Sequence, residues 1–159
     1  LDAMDIILIA AVTADGKIAH HADEIITWSE DLSLFKKQTM DQTVIMGSKT
    51  AESLSTSFEG RTSIVIQRDM DPVGVLKKID SEKCFIIGGS ITYGRFAKYL
   101  THLYLTYHPF IFSSGSLPLF TDLEYDLNLK LIQLFEVEGK KNIYQFQYKV
   151  IKTNEQEIL

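Results

Sequence analysis

The sequence predicts an α/β protein with a mostly parallel central sheet, flanked by about four helices and ending in an antiparallel hairpin. Short apolar runs, typical of strands buried on both faces, alternate with helical segments as far as about residue 108. Beyond that point, two strand-like segments are separated by a short polar turn, which predicts the hairpin. The length of 159 residues suits a single domain, which we assign to residues 4–159, with residues 1–3 expected to lie outside the fold.

The composition is that of an ordinary globular protein, with 45% hydrophobic and 23% charged residues. A net charge of −5 argues against a general nucleic-acid binder, which needs a clustered basic surface, but is compatible with a small anionic ligand. No apolar run approaches the roughly 20 residues of a membrane span, and no charged-then-apolar leader opens the chain. We therefore expect a cytoplasmic protein with no membrane partner. The single cysteine, Cys84, lies in an apolar run and is expected to pack in the core.

The first half of the chain alternates strands and helices around one loop. The predicted strands are Ile6–Val12, Ile18–Ala19, Thr43–Met46 and Thr62–Ile66. The segment His20–Ile26 has no clear period and is expected to be a loop. Thr27–Glu30 has the form of a capping box, which predicts a helix with Thr27 as its N-cap. One face of that helix carries Leu32, Phe35 and Thr39, and Asp31 shares its side.

The second half begins with helices and buried strands and ends in the hairpin. The predicted helices are Pro72–Ile79 and Ile91–Leu100, and the predicted strands are Cys84–Ile87, Leu103–His108, Leu129–Val137 and Ile143–Ile151. The four histidines, His20, His21, His102 and His108, have no partners at metal-ligand spacing. We interpret them as loop or surface residues and expect no metal site.

Three motifs follow one another between Asp31 and Arg68. They read D-L-S-L-F-K at residues 31–36, V-I-M-G-S-K-T-A-E-S at residues 44–53 and G-R-T-S-I-V at residues 60–65. In order and spacing this series resembles the dihydrofolate reductase family, and the resemblance extends over residues 5–108. It implies that family's three-layer α/β fold. It also implies an NADPH-dependent oxidoreductase that reduces 7,8-dihydrofolate to tetrahydrofolate by direct hydride transfer.

Asp31 has two interpretations from the pattern alone. A carboxylate in a helix's first turn is favoured by the macrodipole. On the apolar side of the helix, however, burying it costs free energy unless it has a hydrogen-bond or charge partner or a functional role. The resemblance implies the second role, because the family's acid contacts the pterin and assists protonation there, with a pKa raised by partial burial. The implied catalytic set is completed by Thr106, which matches a threonine that hydrogen-bonds the acid, and by Trp28. Trp28 stands two residues nearer the acid than in the family, and from the pattern it is equally a core residue.

The implied substrate site combines apolar residues with one arginine. Arg61 matches the family's arginine that forks onto the α-carboxylate of the substrate's glutamate tail, a bidentate geometry that lysine cannot copy. Without the resemblance it would be read as a surface residue. The other implied substrate-binding residues are Ile9, Ala10, Ala11, Leu32, Phe35 and Leu54.

NADPH is the implied cofactor. Gly88-Gly89-Ser90 joins a buried strand to a helix, where backbone N–H groups favour anions, and the family places the cofactor's diphosphate there beside a cis Gly-Gly bond. Where the family often has arginine after Met-Gly this chain has Ser48, so Lys49 and Arg68 are the candidates for the 2′-phosphate. The implied cofactor-binding residues are Ala11, Ile18, Gly47, Ser48, Lys49, Thr50, Gln67, Arg68, Ile87, Gly88, Gly89, Ser90, Ile91, Thr92 and Tyr93.

Two segments favour a different substrate in the same fold. Asp15–Ala19 and Gly115–Phe120 resemble the riboflavin-pathway pyrimidine reductases, which use NADPH to reduce a ribosylamino-pyrimidine 5′-phosphate and are usually dimers. A non-catalytic nucleotide-binding module is a further alternative, disfavoured because Asp31, Thr106 and Arg61 occur together. The choice between monomer and homodimer stays open.

Overall fold

The computed structural model of the protein describes residues 3–53 and 58–152. Its strands are β1 (Asp5–Thr13), β2 (Lys17–Ala19), β3 (Thr43–Gly47), β4 (Thr62–Ile66), β5 (Lys83–Ile86), β6 (His102–His108), β7 (Leu117–Pro118), β8 (Asn128–Glu136) and β9 (Tyr144–Ile151). Its helices are α1 (Leu32–Thr39), α2 (Ser48–Ser53), α3 (Pro72–Lys77) and α4 (Ser90–Phe96), and α4 continues into a 3-10 turn at Ala97–Tyr99.

Seven strands form the central sheet, in the order β4-β3-β5-β1-β6-β9-β8. The first five of these are parallel to their neighbours, with β1 between β5 and β6. The hairpin of β8 and β9 adds two antiparallel strands beside β6. The predicted α/β architecture, with a mostly parallel sheet and an antiparallel C-terminal hairpin, is confirmed. Among the helices of the described residues, none is long and apolar enough to cross a membrane.

A second, two-stranded sheet joins the two segments that resembled the pyrimidine reductases. β2 and β7 are antiparallel, with Lys17 opposite Pro118 and Ala19 opposite Leu117. The sequence pattern predicted no strand at β7. A two-residue strand gives no alternation to read, so its pairing depends on a partner about 100 residues away.

Burial of β1 on both faces explains its continuous apolar sequence. Ile6 and Leu8 pack into a core cluster with Leu76 and Phe96, on the side of α3 and α4. Ile7 and Ile9 face a second cluster across the sheet, together with Val44, Met46 and Phe85. Cys84 is buried in the first cluster as predicted, and burial raises the pKa of its thiol to about 12, so it is unreactive as a nucleophile.

The capping-box prediction at Thr27–Glu30 is wrong. α1 begins at Leu32 with Asp31 in the N-cap position, and no side-chain hydrogen bond caps it. The backbone N–H of Glu30 instead donates to His108 Nε2 at 2.9 Å, and the Glu30 carboxylate lies 2.8 Å from Lys140 Nζ. The interpretation of His108 as a loop or surface residue is also wrong, since it ends β6 and is only 2% exposed. Both errors have one cause, a tertiary contact between residues 78 positions apart.

Two helical glycines provide a matched test of the packing. A Cβ on Gly94 in α4 would lie 2.1 Å from the Thr121 carbonyl oxygen, whereas the nearest atom to a Cβ on Gly74 in α3 is 3.8 Å away. We expect Gly94→Ala to lower the free energy of unfolding by about 1–3 kcal/mol, because backbone must move to admit the methyl group. Gly74→Ala should leave it unchanged or raise it by up to about 1 kcal/mol through helix propensity. Urea unfolding followed by circular dichroism measures both, and equal effects would contradict the close approach at Gly94.

Candidate active site

A cavity lies at the carboxyl ends of β1 and β5, where parallel sheets usually bind ligands. Its walls come from the end of β1, the start of α1, the turn after β5 and the segment that follows β2. Of the residues predicted to form the site, those that line the cavity are Ile9, Ala10, Ala11, Ile18, Asp31, Leu32, Phe35, Thr50, Ile87, Gly88, Gly89 and Tyr93. The structure therefore brings predicted substrate and cofactor residues together around one opening.

Asp31 lines the cavity and is buried, with only 7% of the residue exposed. Burial is the main cause that raises its pKa above the ordinary value, and the Thr106 hydroxyl and the nearby His108 ring oppose the shift. The Thr106 side chain is completely buried, yet its Oγ1 makes no hydrogen bond of standard geometry within the described residues. Asp31 is thus an acid in apolar surroundings that can carry a proton nearer to neutral pH than an exposed aspartate.

Tyr93 connects α4 to the same part of the cavity. Its hydroxyl donates to the Ile9 carbonyl oxygen at 2.7 Å. Burial, and to a lesser degree the charge of Asp31, raise the pKa of Tyr93, so the phenol stays protonated. This bond holds the carbonyl group of Ile9, in the middle of β1, in place.

Trp28 lies in an aromatic cluster instead of the cavity wall. Its ring meets those of His108, Phe110 and Phe112 edge to face, with centroids 5.2, 6.0 and 5.3 Å apart. The indole Nε1 is buried without a hydrogen-bond partner among the described residues. Trp28 and Thr106, both predicted as catalytic, therefore lie close to Asp31 in the fold but do not line the opening.

Arg61 lies at the far end of α1 from Asp31. Its Nη1 donates to Thr39 Oγ1 at 3.3 Å, and its guanidinium carbon is 4.8 Å from the centroid of the Phe58 ring. Eight residues separate Asp31 from Thr39, which corresponds to about 12 Å along a helix axis. Arg61 is half-buried and does not line the cavity that contains Asp31. The predicted contact residue Leu54 lies outside the described residues.

On the other side, the turns after β3 and β5 pack directly on each other. The Gly47 N–H donates to the Gly88 carbonyl at 2.9 Å, and the Gly88–Gly89 bond is cis, as the resemblance implied. A Cβ on Gly47 would lie 2.5 Å from Thr92 Oγ1, and one on Gly88, where φ is +135°, would lie 3.2 Å from Thr50 Oγ1. Only glycines fit this approach, which leaves a surface of backbone in place of side chains.

The remaining predicted cofactor residues lie outside the cavity wall. Ser90 and Thr92 are buried, and Ser90 Oγ is 2.6 Å from Thr121 Oγ1. Lys49 Nζ lies 3.2 Å from Asp23 Oδ1, and the Gln67 carbonyl accepts a hydrogen bond from Arg95 at 3.1 Å. The others, Ser48, Arg68 and Ile91, are exposed.

Sequence reasoning missed most of the segment that covers the cavity. The unpredicted lining residues are Ala19, His21, Ala22, Glu24, Ile25, Ile26, Ser29, Ser53 and Leu117. Ile25 and Ile26 are 61% and 40% exposed. Two adjacent isoleucines in a predicted loop were a sequence signal for ligand contact, because exposed apolar residues often mark binding sites. His20 holds this segment through two contacts. Its Nδ1 lies 2.7 Å from Glu24 Oε2, and its ring stacks on that of Phe112 with centroids 3.8 Å apart. Within the described residues, no cluster of three or more metal-ligating side chains occurs.

Comparison with known proteins gives one consistent family. A family model described as dihydrofolate reductase matches residues 5–151. The dihydrofolate reductase of Buchnera aphidicola is 31% identical over 142 residues, which cover 80% of this chain and 86% of that protein. The type 8 dihydrofolate reductase of Escherichia coli is 34% identical over 122 residues, covering 62% of this chain and 71% of that one.

A second kind of relative and a solved structure complete the comparison. The dihydromethanopterin reductase of Methylorubrum extorquens is 35% identical over 82 residues, or 51% of this chain and 61% of that protein. The dihydrofolate reductase of Enterococcus faecalis, solved in complex with NADP(H) and RAB-propyl, superposes with a TM-score of 0.73 at 16% identity. That match covers 93% of this chain and 97% of that one. At this identity the likeness shows the fold.

The burial of Asp31 predicts how stability depends on pH. Because the pKa of Asp31 is raised on folding, its contribution favours the fold below the ordinary value of 3.8 and is lost as pH rises through the folded-state pKa. We expect Asp31→Asn to raise the free energy of unfolding at pH 7, and the gain to vanish below pH 3.8. Glu30→Gln is the matched control, because Lys140 lowers the pKa of the exposed Glu30 and its removal should not stabilise. Urea titrations at several pH values test this, and an Asn variant less stable than wild type at pH 7 would contradict it.

Proposed function

The chain belongs to the dihydrofolate reductase family, and we propose that its cavity is where 7,8-dihydrofolate is reduced to tetrahydrofolate. As a member of that family it is an NADPH-dependent oxidoreductase that acts on a small molecule. The observation that carries the assignment of residues is the placement of Asp31 and Arg61 at opposite ends of α1, about 12 Å apart along its axis. A substrate with a ring at one end and a carboxylate at the other suits that separation.

Asp31 is the residue we assign to proton delivery. It lines the cavity, it is buried, and burial raises its pKa, so the carboxyl group keeps its proton to a higher pH than an exposed aspartate does. The carboxyl group also presents the hydrogen-bonding edge that an amino-pyrimidine ring would pair with. We assign Thr106 to orienting that carboxyl group, since its buried Oγ1 lacks another hydrogen-bond partner among the described residues. We keep Trp28 in the proposed catalytic set, next to Asp31.

The apolar walls orient the rings and exclude water. Ile9 and Ala10 line the cavity from β1, Leu32 and Phe35 line it from α1, and Ile25 contributes from the covering segment. Removing water from this space strengthens the electrostatic influence of Asp31 on a bound ring. The segment from His20 to Ile26 is the part of the site whose position decides whether the cavity is open to solvent.

The residues on the other side of the cavity fit NADPH. A Cβ on Gly47 or Gly88 would crowd Thr92 or Thr50, so the turn after β5 presents backbone in place of side chains, and its backbone N–H groups can bind phosphate oxygens. Ala11, Ile18 and Tyr93 line the cavity beside them, where a flat ring would lie. When bound, NADPH supplies the hydride. We assign Arg68 and Lys49 to the 2′-phosphate, in place of the arginine that Ser48 replaces.

The ribosylamino-pyrimidine 5′-phosphate alternative is not better supported. The family match runs from residue 5 to 151 and so includes both segments that suggested it. In the structure those segments pair as β2 and β7, a local sheet whose residues Ile18, Ala19 and Leu117 contribute apolar wall. A wall of this kind fits either substrate and does not distinguish them.

The reaction is tested by following NADPH oxidation with dihydrofolate and, separately, with the pyrimidine substrate. Asp31→Asn should keep NADPH binding but lower turnover at pH 7 by about a hundredfold or more, the usual contribution of a general acid. The loss should be smaller at acidic pH, where solvent protonates the substrate. Glu30→Gln, on the preceding residue, should remain active. A fully active Asp31→Asn enzyme, or turnover of the pyrimidine substrate alone, would contradict the proposal.

Arg61 should control the affinity for the glutamate tail. We expect Arg61→Ala to raise the KM for dihydrofolate tenfold or more, since a charged hydrogen-bond pair contributes roughly 1.5–3 kcal/mol. The value of kcat should change little, because the tail contact is equal in ground and transition states. Arg61→Lys should recover only part of the affinity. Arg68→Ala serves as the control, with the opposite pattern of a raised KM for NADPH and an unchanged KM for dihydrofolate.

A further inference from the structure

α1 carries Asp31, Leu32 and Phe35 into the cavity, but little apolar burial holds it there. It has eight residues, of which only Thr39 is fully buried. Helices this short are marginal unless tertiary contacts fix them. Phe35 packs partly against the second core cluster, and hydrogen bonds at both ends of the helix add to this packing. The question is which polar contact fixes the end that bears the acid.

His108 makes that contact. Its Nε2 accepts the Glu30 N–H at 2.9 Å, so the proton of the neutral ring lies on Nδ1. Nδ1 is 2.9 Å from the Thr106 carbonyl oxygen and 3.3 Å from the Val12 carbonyl oxygen, and donates to them. One buried ring therefore connects the ends of β1 and β6 to the peptide group next to Asp31.

The same ring fixes the aromatic neighbour of the acid. His108 meets Trp28 edge to face at 5.2 Å. Glu30 has a second tether through Lys140, but both of those side chains are about half exposed, and such pairs contribute little. The other end of α1 is held by a reciprocal amide pair, in which Gln38 and Gln145 donate to each other at 2.7 and 3.0 Å. Of these two contacts at the Asp31 end, the one to His108 is made by a buried ring.

We propose that His108 is a positioning residue of the reaction, which holds the Asp31 turn and Trp28 in register with the ends of β1 and β6 by accepting the Glu30 N–H. The inference depends on the proposed function of Asp31. It adds a residue that does not line the cavity and acts through the backbone of Glu30, next to the acid. An acceptor at the Nε2 position is what the role requires, not a positive charge.

The test compares variants that remove or keep this acceptor. His108→Leu removes it at similar volume, His108→Phe removes it and keeps an aromatic ring, and His108→Gln has a carbonyl oxygen at about the reach of Nε2. His102→Leu, at the opposite end of β6, is the control. Two quantities are measured: amide hydrogen exchange at Glu30 by NMR, and kcat with the KM values for both substrates.

We expect Glu30 exchange to accelerate at least tenfold in the Leu and Phe variants, while amides of Thr43–Gly47 in β3 are unaffected. With the acid displaced, kcat should fall by about tenfold to a hundredfold, and the KM for NADPH should not change. His108→Gln should recover both Glu30 protection and most of kcat, and His102→Leu should resemble wild type. If Leu does not fold, Phe gives the same comparison.

Three results would overturn the inference: unchanged Glu30 exchange without the acceptor, faster exchange with normal kcat, or a Gln variant as impaired as Leu. Failure of the proposed function is distinguishable from these. In that case wild type itself does not reduce dihydrofolate, whereas the exchange measurement still decides whether His108 anchors the turn.

Discussion

β1 pairs in parallel with β5 on one side and β6 on the other, and it is buried on both faces. The turn after β5 supplies Gly88 and Gly89, the end of β6 supplies Thr106 and His108, and the end of β1 supplies the backbone between them. Because these three carboxyl ends lie side by side, the cavity is a product of strand order. Displacing β1 would separate the proton-bearing side from the glycine turns.

The buried acid of the cavity lowers the stability of the fold when it is ionised. A carboxyl group that is only 7% exposed costs free energy when ionised, and Asp31 forms no salt bridge among the described residues. The same environment makes the proton available at a pH where an exposed aspartate has lost it. The Thr106 hydroxyl and the His108 ring reduce this cost only in part, which leaves the acid able to change its protonation state.

Apart from β7, the strands were predicted to within about one residue at each end, but the start of the helix beside the acid was not. β3, β4 and β6 are dense runs of apolar or β-branched residues, so each is specified by its own sequence. The start of α1 was misplaced because the pattern from Thr27 to Glu30 matches a local cap. In the structure, the Glu30 N–H instead donates to His108, which lies 78 residues further along the chain. Exposed Ile25 and Ile26 were passed over for a related reason, since a loop that covers a cavity has no period to read.

By itself, the sequence determined the α/β class, the order of the helices and of the strands other than β7, and the glycine turns, and it supplied the candidate acid and arginine. These depend on hydrophobic periodicity, on glycine's lack of a side chain and on motifs contained within one stretch of chain. Only the tertiary structure decided that Asp31 caps α1 without a cap bond, that β2 pairs with β7, and that His108 holds the Asp31 turn. Each of these depends on contacts between residues far apart in the sequence, and a local sequence pattern does not show which distant residue will make the contact.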